Sequence, residues 1–139
     1  MFVKVTNGTP KSYTVKQLRR DNPNISFPKE VPAETLSEYD VYPVNITPPP
    51  VIDHKTHHYT QGFQLVDGDW EQTWSVFQLP QNEAENNTRS HRNRILQETD
   101  YLALSDNTMS ASMTTYRQAL RDITDQEGFP FSVTWPTKP

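Results

Sequence analysis

Proline decides first what this chain can build. Each proline fixes φ and removes a backbone donor, and twelve of them stand against only four glycines. Pro28, Pro32 and Pro43 cut ISFPKEVPAETLSEYDVYPV so closely that only a brief helix fits, over about residues 33–39. The remaining apolar residues of that stretch, from Ile25 to Val44, are expected to anchor an irregular segment. TPPPV, residues 47–51, must be extended and reads as a spacer. A polyproline ligand for a peptide-binding domain is the sharper alternative. Before these cuts, residues 1–10 alternate weakly and suit a short strand. Thr14 is a cap for a turn or two of helix, and Asn22-Pro23 would stop it.

The longest β signal is HYTQGFQLVDGDWEQTWSVFQL. Asp67-Gly68 between β-rich runs marks a hairpin. Alternation places Tyr59, Phe63 and Leu65 on one face of the first strand, and Trp70, Trp74 and Val76 on one face of the second. An isolated hairpin is marginal in water. This one is therefore expected to pair with residues 44–53, pack on a helix or meet another chain.

Pro80 ends the hairpin. Residues 82–98 suit a polar helix with Glu83 and Glu85 early and Arg89, Arg92 and Arg94 later, complementing the helix dipole. Its apolar stripe is thin: Ala84, Ile95 and Leu96. Tyr101, Leu102 and Leu104 are expected to plug the connector. Met109, Met113, Tyr116, Leu120 and Ile123 then fall on one helical face. Asp106 or Asn107 is the expected cap, with Arg117, Arg121, Asp122 and Asp125 away from that face. Gly128 supplies a C-terminal cap and Pro130 blocks continuation. The reading is α+β: a proline-rich N-terminal segment, a β-hairpin or small antiparallel sheet, and a C-terminal helical hairpin with an aromatic tail. Two modules are expected, residues 1–80 and 81–139.

Composition narrows function. The apolar share is 33 % and the net charge −4. So little oily sequence implies a thin aromatic core completed against a partner. The acidic balance does not favour nucleic acid. The clusters Arg19-Arg20 and Arg89/Arg92/Arg94 lie close to acids and read as solvated faces. No stretch is long and apolar enough for a membrane span, and the N-terminus has no apolar run of signal-peptide length. Cysteine is absent, which excludes disulfides and thiolate chemistry.

His54, His57 and His58 are the one metal-like cluster, without the carboxylate pattern that metal chemistry needs. Asp67, Asp69 and Glu71 sit at a hairpin tip, where acids suit the turn. No nucleophile motif or phosphate loop occurs. No catalytic residue, metal ligand or cofactor is assigned. The partner-binding candidates are Trp70 and Trp74 on the hairpin, and Phe129, Phe131 and Trp135 in the tail. The tail is expected to fold back over the last helix, with an exposed hot spot as the alternative.

The C-terminal third resembles the tail assembly chaperone family of tailed bacteriophages. The resemblance rests on Arg92 with Ile95-Leu96, Thr99-Asp100-Tyr101, Tyr116-Arg117, Leu120 to Ile123, Gly128-Phe129-Pro130 and Trp135-Pro136. Tyr101 replaces a common tryptophan, and NTMSAS adds length before the last helix. The resemblance implies a non-enzymatic protein that binds phage tail or tail-fibre components in the host cytoplasm during assembly; the charge balance and the lack of an apolar span add the expectation of no nucleic acid or membrane partner. It leaves room for an oligomer within the tail, and for a permanent subunit of the virion tail. A small metal-dependent hydrolase using His54 and His57 is the competing enzymatic reading.

Overall fold

A computed structural model describes all residues, Met1–Pro139. The chain is α+β, with a five-stranded sheet and four α-helices. It divides into two compact units. One comprises Met1–Val51 and Tyr59–Val76, the other Ile52–His58 and Phe77–Pro139.

The first unit begins with a hairpin of β1 (Phe2–Thr6) and β2 (Thr9–Tyr13). Asn7 and Gly8 both have positive φ, 50° and 75°. That is the geometry of the two-residue turn which Asn-Gly favours, because it matches strand twist. Helix α1 (Val15–Asp21) follows, with the Thr14 hydroxyl accepting from the Gln17 amide as expected of a cap. Helix α2 (Ala33–Ser37) is the brief helix between prolines. Arg19 pins the intervening loop by donating to the Pro28 carbonyl at 2.7 Å. Tyr13, Leu18, Leu36 and Val41 are buried together, with Phe2, Phe27, Val31 and Tyr39 packed around them. The Tyr13 hydroxyl donates to Asp21 at 2.7 Å. Burial, and then this bond to a carboxylate, push its pKa up to about 12.

Two expectations need correction here. The segment around VYPV is not irregular: it is strand β3 (Val41–Asn45), which lies inside the sheet. It pairs antiparallel with β1 and parallel with the second hairpin strand, through Val44↔Trp70 and Asn45↔Glu71. The sheet is therefore mixed rather than antiparallel, in the order β2-β1-β3-β5-β4. Pro43 is tolerated for a local reason. The Val44 amide donates to Met1 on the β1 side, so residue 43 turns its nitrogen to the other side. There the pairing starts only at Val44, so the missing donor breaks no ladder bond.

The second hairpin joins β4 (His57–Val66) and β5 (Asp69–Gln78) through Asp67 and Gly68, again with positive φ at both. Pairing with residues 44–53 is among its expected solutions, and the structure adopts it over Val44 and Asn45 alone.

The second unit contains α3 (Gln81–Gln97), a 3-10 turn at Asp100–Ala103, α4 (Ala111–Arg121) and a second 3-10 turn at Asp122–Asp125. Tyr116, Leu120 and Ile123 form its core, with Ile95, Leu96, Met113, Phe129, Val133 and Trp135 packed around them. The cap of α4 is Ser110, not Asp106 or Asn107. Its hydroxyl accepts from the Met113 amide, leaving Met109 outside the helix. Gly128 is not the helix cap either, because α4 has ended at Arg121 and a 3-10 turn intervenes. Its role is close approach. A Cβ at position 128 would collide with the Ser132 carbonyl oxygen, and the Ser132 amide donates to the Gly128 carbonyl. Tyr101 and Leu104 do not plug the connector; both are exposed.

Candidate functional site

The C-terminal segment is assembled by polar side chains that satisfy backbone groups. Arg117 is the centre. Expected on the solvent face, it is only 6 % exposed. One guanidinium nitrogen donates to the Leu96 carbonyl at 2.8 Å and to the Thr99 hydroxyl. The other donates to the Asp100 carboxylate at 2.8 Å. The Thr99 hydroxyl in turn donates to the Leu96 carbonyl. Helix α3 ends there, where backbone carbonyls lack helical donors. A planar fork with five donors suits that task in a way a lysine does not.

A second device holds the tail. The Gln126 side-chain amide donates to the Thr134 carbonyl at 2.9 Å, and its oxygen accepts from the Thr134 amide at 2.8 Å. This imitates one step of a β-ladder. It sets Val133 and Trp135 against the α4 core. Around Trp135, the His91 ring meets it edge-on at 4.7 Å and the Lys55 ammonium stands 5.9 Å from its centroid. Arg89, paired with Glu85 at 2.9 Å, lies over Phe129. Phe131 meets His57 edge-on at 6.2 Å. Phe129, Phe131 and Trp135 are all half-buried, while Pro130 is fully buried. Each of the three rings thus keeps part of its surface open.

Burial, then the Lys55 and Arg94 charges, hold the His91 pKa below its usual value. Arg94 donates to His91 Nδ1 at 2.9 Å. A guanidinium can only donate, so this nitrogen is the acceptor of a neutral ring.

Trp70 and Trp74 belong to the other unit and do not join this cluster. Trp70 lies 6.4 Å from Tyr42. Trp74 meets Tyr59 edge-on at 5.0 Å and donates its indole N–H to the Thr47 carbonyl. That bond ties down the start of the TPPPV segment. Trp70 also lines a groove of about 300 Å³ with Val5, Asp40, Tyr42, Leu65 and Gly68.

No group of three or more His, Cys, Asp or Glu side chains comes together in a metal-binding arrangement. The two clusters are built of rings, cations and amides.

Residues 85–139 match the family model of the phage tail assembly chaperone protein. The match confirms the resemblance read from the sequence over this segment. No curated protein and no solved structure gives a significant match. The matched segment holds Arg117 and all three of its partners, the Gln126 clamp, and the tail aromatics. Their geometry ties separate pieces of the matched segment to one another. Tyr116-Arg117 needs Leu96, Thr99 and Asp100 because one guanidinium binds all three. Trp135-Pro136 needs the helix bearing His91. Trp70 and Trp74 fall outside the match.

Four residues that matter here were not singled out for a role in the sequence: Arg117, Gln126, His91 and Lys55. Arg117 did carry a signal, its place in the Tyr-Arg element of the family pattern. The other three carry none, because a single polar residue in a polar chain looks the same whether it faces water or a backbone carbonyl.

Proposed function

We propose that the chain is a non-enzymatic tail assembly chaperone that holds a phage tail or tail-fibre component in the infected cell. The observation that carries this reading is the family match over residues 85–139. It coincides with a segment whose three tail rings are each half-buried. Half-open rings on a fixed support suit partner recognition, because Trp and Phe bury much area at little entropic cost. In this reading residues 81–139 are the assembly module and 1–80 a second module, with Trp70 and Trp74 offering a further aromatic contact.

The test is co-purification of tagged chain from infected cells, quantified against each tail and fibre protein. Phe131→Ala is the informative variant, since Phe131 is absent from the buried cluster of the module. Loss of an anchor costs about 2 kcal/mol, roughly thirtyfold in affinity. Unchanged recovery of every tail protein with Phe131→Ala and Trp135→Ala would remove the tail rings from the interface. If no tail protein is recovered by the wild-type chain, the assembly reading itself fails. Mass spectrometry of purified particles separates a departing chaperone from a permanent subunit, which would be present in stoichiometric amount.

A further inference from the structure

The two edges of the sheet are built differently. Edge β2 is five residues long and carries Pro10 and Lys11. Proline and lysine are common guards of an edge, since one removes a donor and the other resists desolvation. Edge β4 is twice as long and has neither guard. Residues 60–66, TQGFQLV, hold no proline and no charge, and Thr60, Gln61, Gln64 and Leu65 are exposed. No strand pairs with its outer side. A long, uncharged edge is a template for another strand.

The polar groups at its two ends say which strand fits. β4 starts with His57 and His58 and runs out into Asp67 and Asp69. Its middle is neutral. We infer that β4 pairs antiparallel with β4 of a second copy of this chain, about a two-fold axis at Gly62. That register sets His57 opposite the other copy's Asp67, twice, and Thr60 opposite Gln64, twice. The contact is isologous, as a two-fold dimer requires. A strand of uniform charge has nothing to match in residues 60–66. The result is one sheet of ten strands. It rests on the sheet edge; His57, which also meets Phe131, is its one contact with a tail ring, so its failure leaves the chaperone reading standing.

The test uses the full chain in sedimentation velocity over a micromolar to submillimolar series. The wild type is expected to dimerise with rising concentration. Like charges directly opposite one another are destabilising. Thr60→Lys/Gln64→Lys and Thr60→Glu/Gln64→Glu should each weaken the dimer at least tenfold, with unchanged circular dichroism and melting. Mixing the two variants should restore a dimer, because each lysine then faces a glutamate. A second measurement does not depend on those variants: Thr60→Cys/Gln64→Cys, in a chain with no cysteine of its own, should oxidise to a covalent dimer. A wild type that stays monomeric throughout overturns the inference, even if a tail-protein strand is found on β4. So does a dimer indifferent to both charged variants.

Discussion

The two compact units solve the same shortage of apolar residues in different ways. In the unit of Met1–Val51 and Tyr59–Val76, most of the chain lies in or near a sheet, and strands satisfy one another's backbone groups. Its core needs only Tyr13, Leu18, Leu36 and Val41 with their neighbours. In the unit of Ile52–His58 and Phe77–Pro139, long connectors and the tail have no ladder to join. Side chains meet them instead at Thr134, held by Gln126, and at Lys55, held by Asn87, while Arg117 adds a charged donor to the Leu96 carbonyl, which also accepts from the Thr99 amide. A buried backbone group left unmet costs stability. Much of the polar composition is therefore structural. A low apolar share marks two small cores, one closed by strands and one by polar side chains.

The largest effect expected from this contrast comes from truncating each core. Leu18→Ala and Leu120→Ala remove fully buried side chains and should each cost about 2–5 kcal/mol. Hydrogen exchange locates the damage. Leu18→Ala should expose amides of α1, α2 and β1, and Leu120→Ala those of α3 and α4. If either variant strips protection evenly from both units, they unfold as one and the contrast does not extend to stability. Next in size is Arg117→Ala, at about 2–3 kcal/mol in urea unfolding, because Leu96 and Thr99 lose a buried, charged donor. Asp100→Asn should cost less than about 0.5 kcal/mol, since its carboxylate is 58 % exposed and such pairs are weak. Equal losses at the two positions would make the ion pair, rather than the backbone bond, the purpose of Arg117.

Legibility in the sequence followed the same division. Elements with a local signal were visible: the Asp67-Gly68 hairpin, the Thr14 cap, the helix after Pro80, and the face of Tyr116, Leu120 and Ile123. The Asn7-Gly8 hairpin had an equally local signal, and reading residues 1–10 as one short strand overlooked it. What stayed hidden was long-range. Nothing near Pro43 tells that its nitrogen faces a gap in the ladder. Ser110 displaced Asp106 and Asn107 as the cap because tertiary packing, not the first polar residue available, sets where α4 starts. Arg117 lies beside the apolar face in a helical projection, and only the end of α3 makes that position buried. The tail rings were visible as candidates. The side chains that hold them, Gln126, His91 and Lys55, became visible only in three dimensions.

The polar clamp on the tail can be tested alone. Gln126→Ala removes two hydrogen bonds to Thr134 and should cost about 1 kcal/mol. In a Trp70→Phe/Trp74→Phe background Trp135 is the remaining tryptophan, and its emission should shift to the red as the tail loosens. Gln126→Glu keeps the acceptor and loses the donor, so it should fall between. If emission is unmoved in Gln126→Ala, the apolar contacts of Val133 and Trp135 hold the tail unaided, and the second unit resembles the first more closely than the hydrogen bonds suggest.

The smallest effect expected is one of pH, and it belongs to the helical unit. The folded His91 pKa lies below its usual value of about 6.5. Below that value the unfolded chain takes up a proton that the folded chain resists. The unfolded state then binds more protons, so stability rises with pH across the interval between the two values and is lost as pH falls through it. Two structural reasons act together. Arg94 donates to His91 Nδ1, which a protonated ring cannot accept, and Lys55 and Arg94 repel the added charge. Asp53 and Glu98 oppose them more weakly. Urea midpoints should therefore drop modestly from about pH 7 to about pH 5, with Trp135 emission moving in step because the ring lies against His91. His91→Gln should flatten that slope while leaving the pH response of α1 and α2 amides unchanged. A slope that survives His91→Gln would assign the dependence to carboxylates. Protonation of His91 would then play no part in releasing the tail.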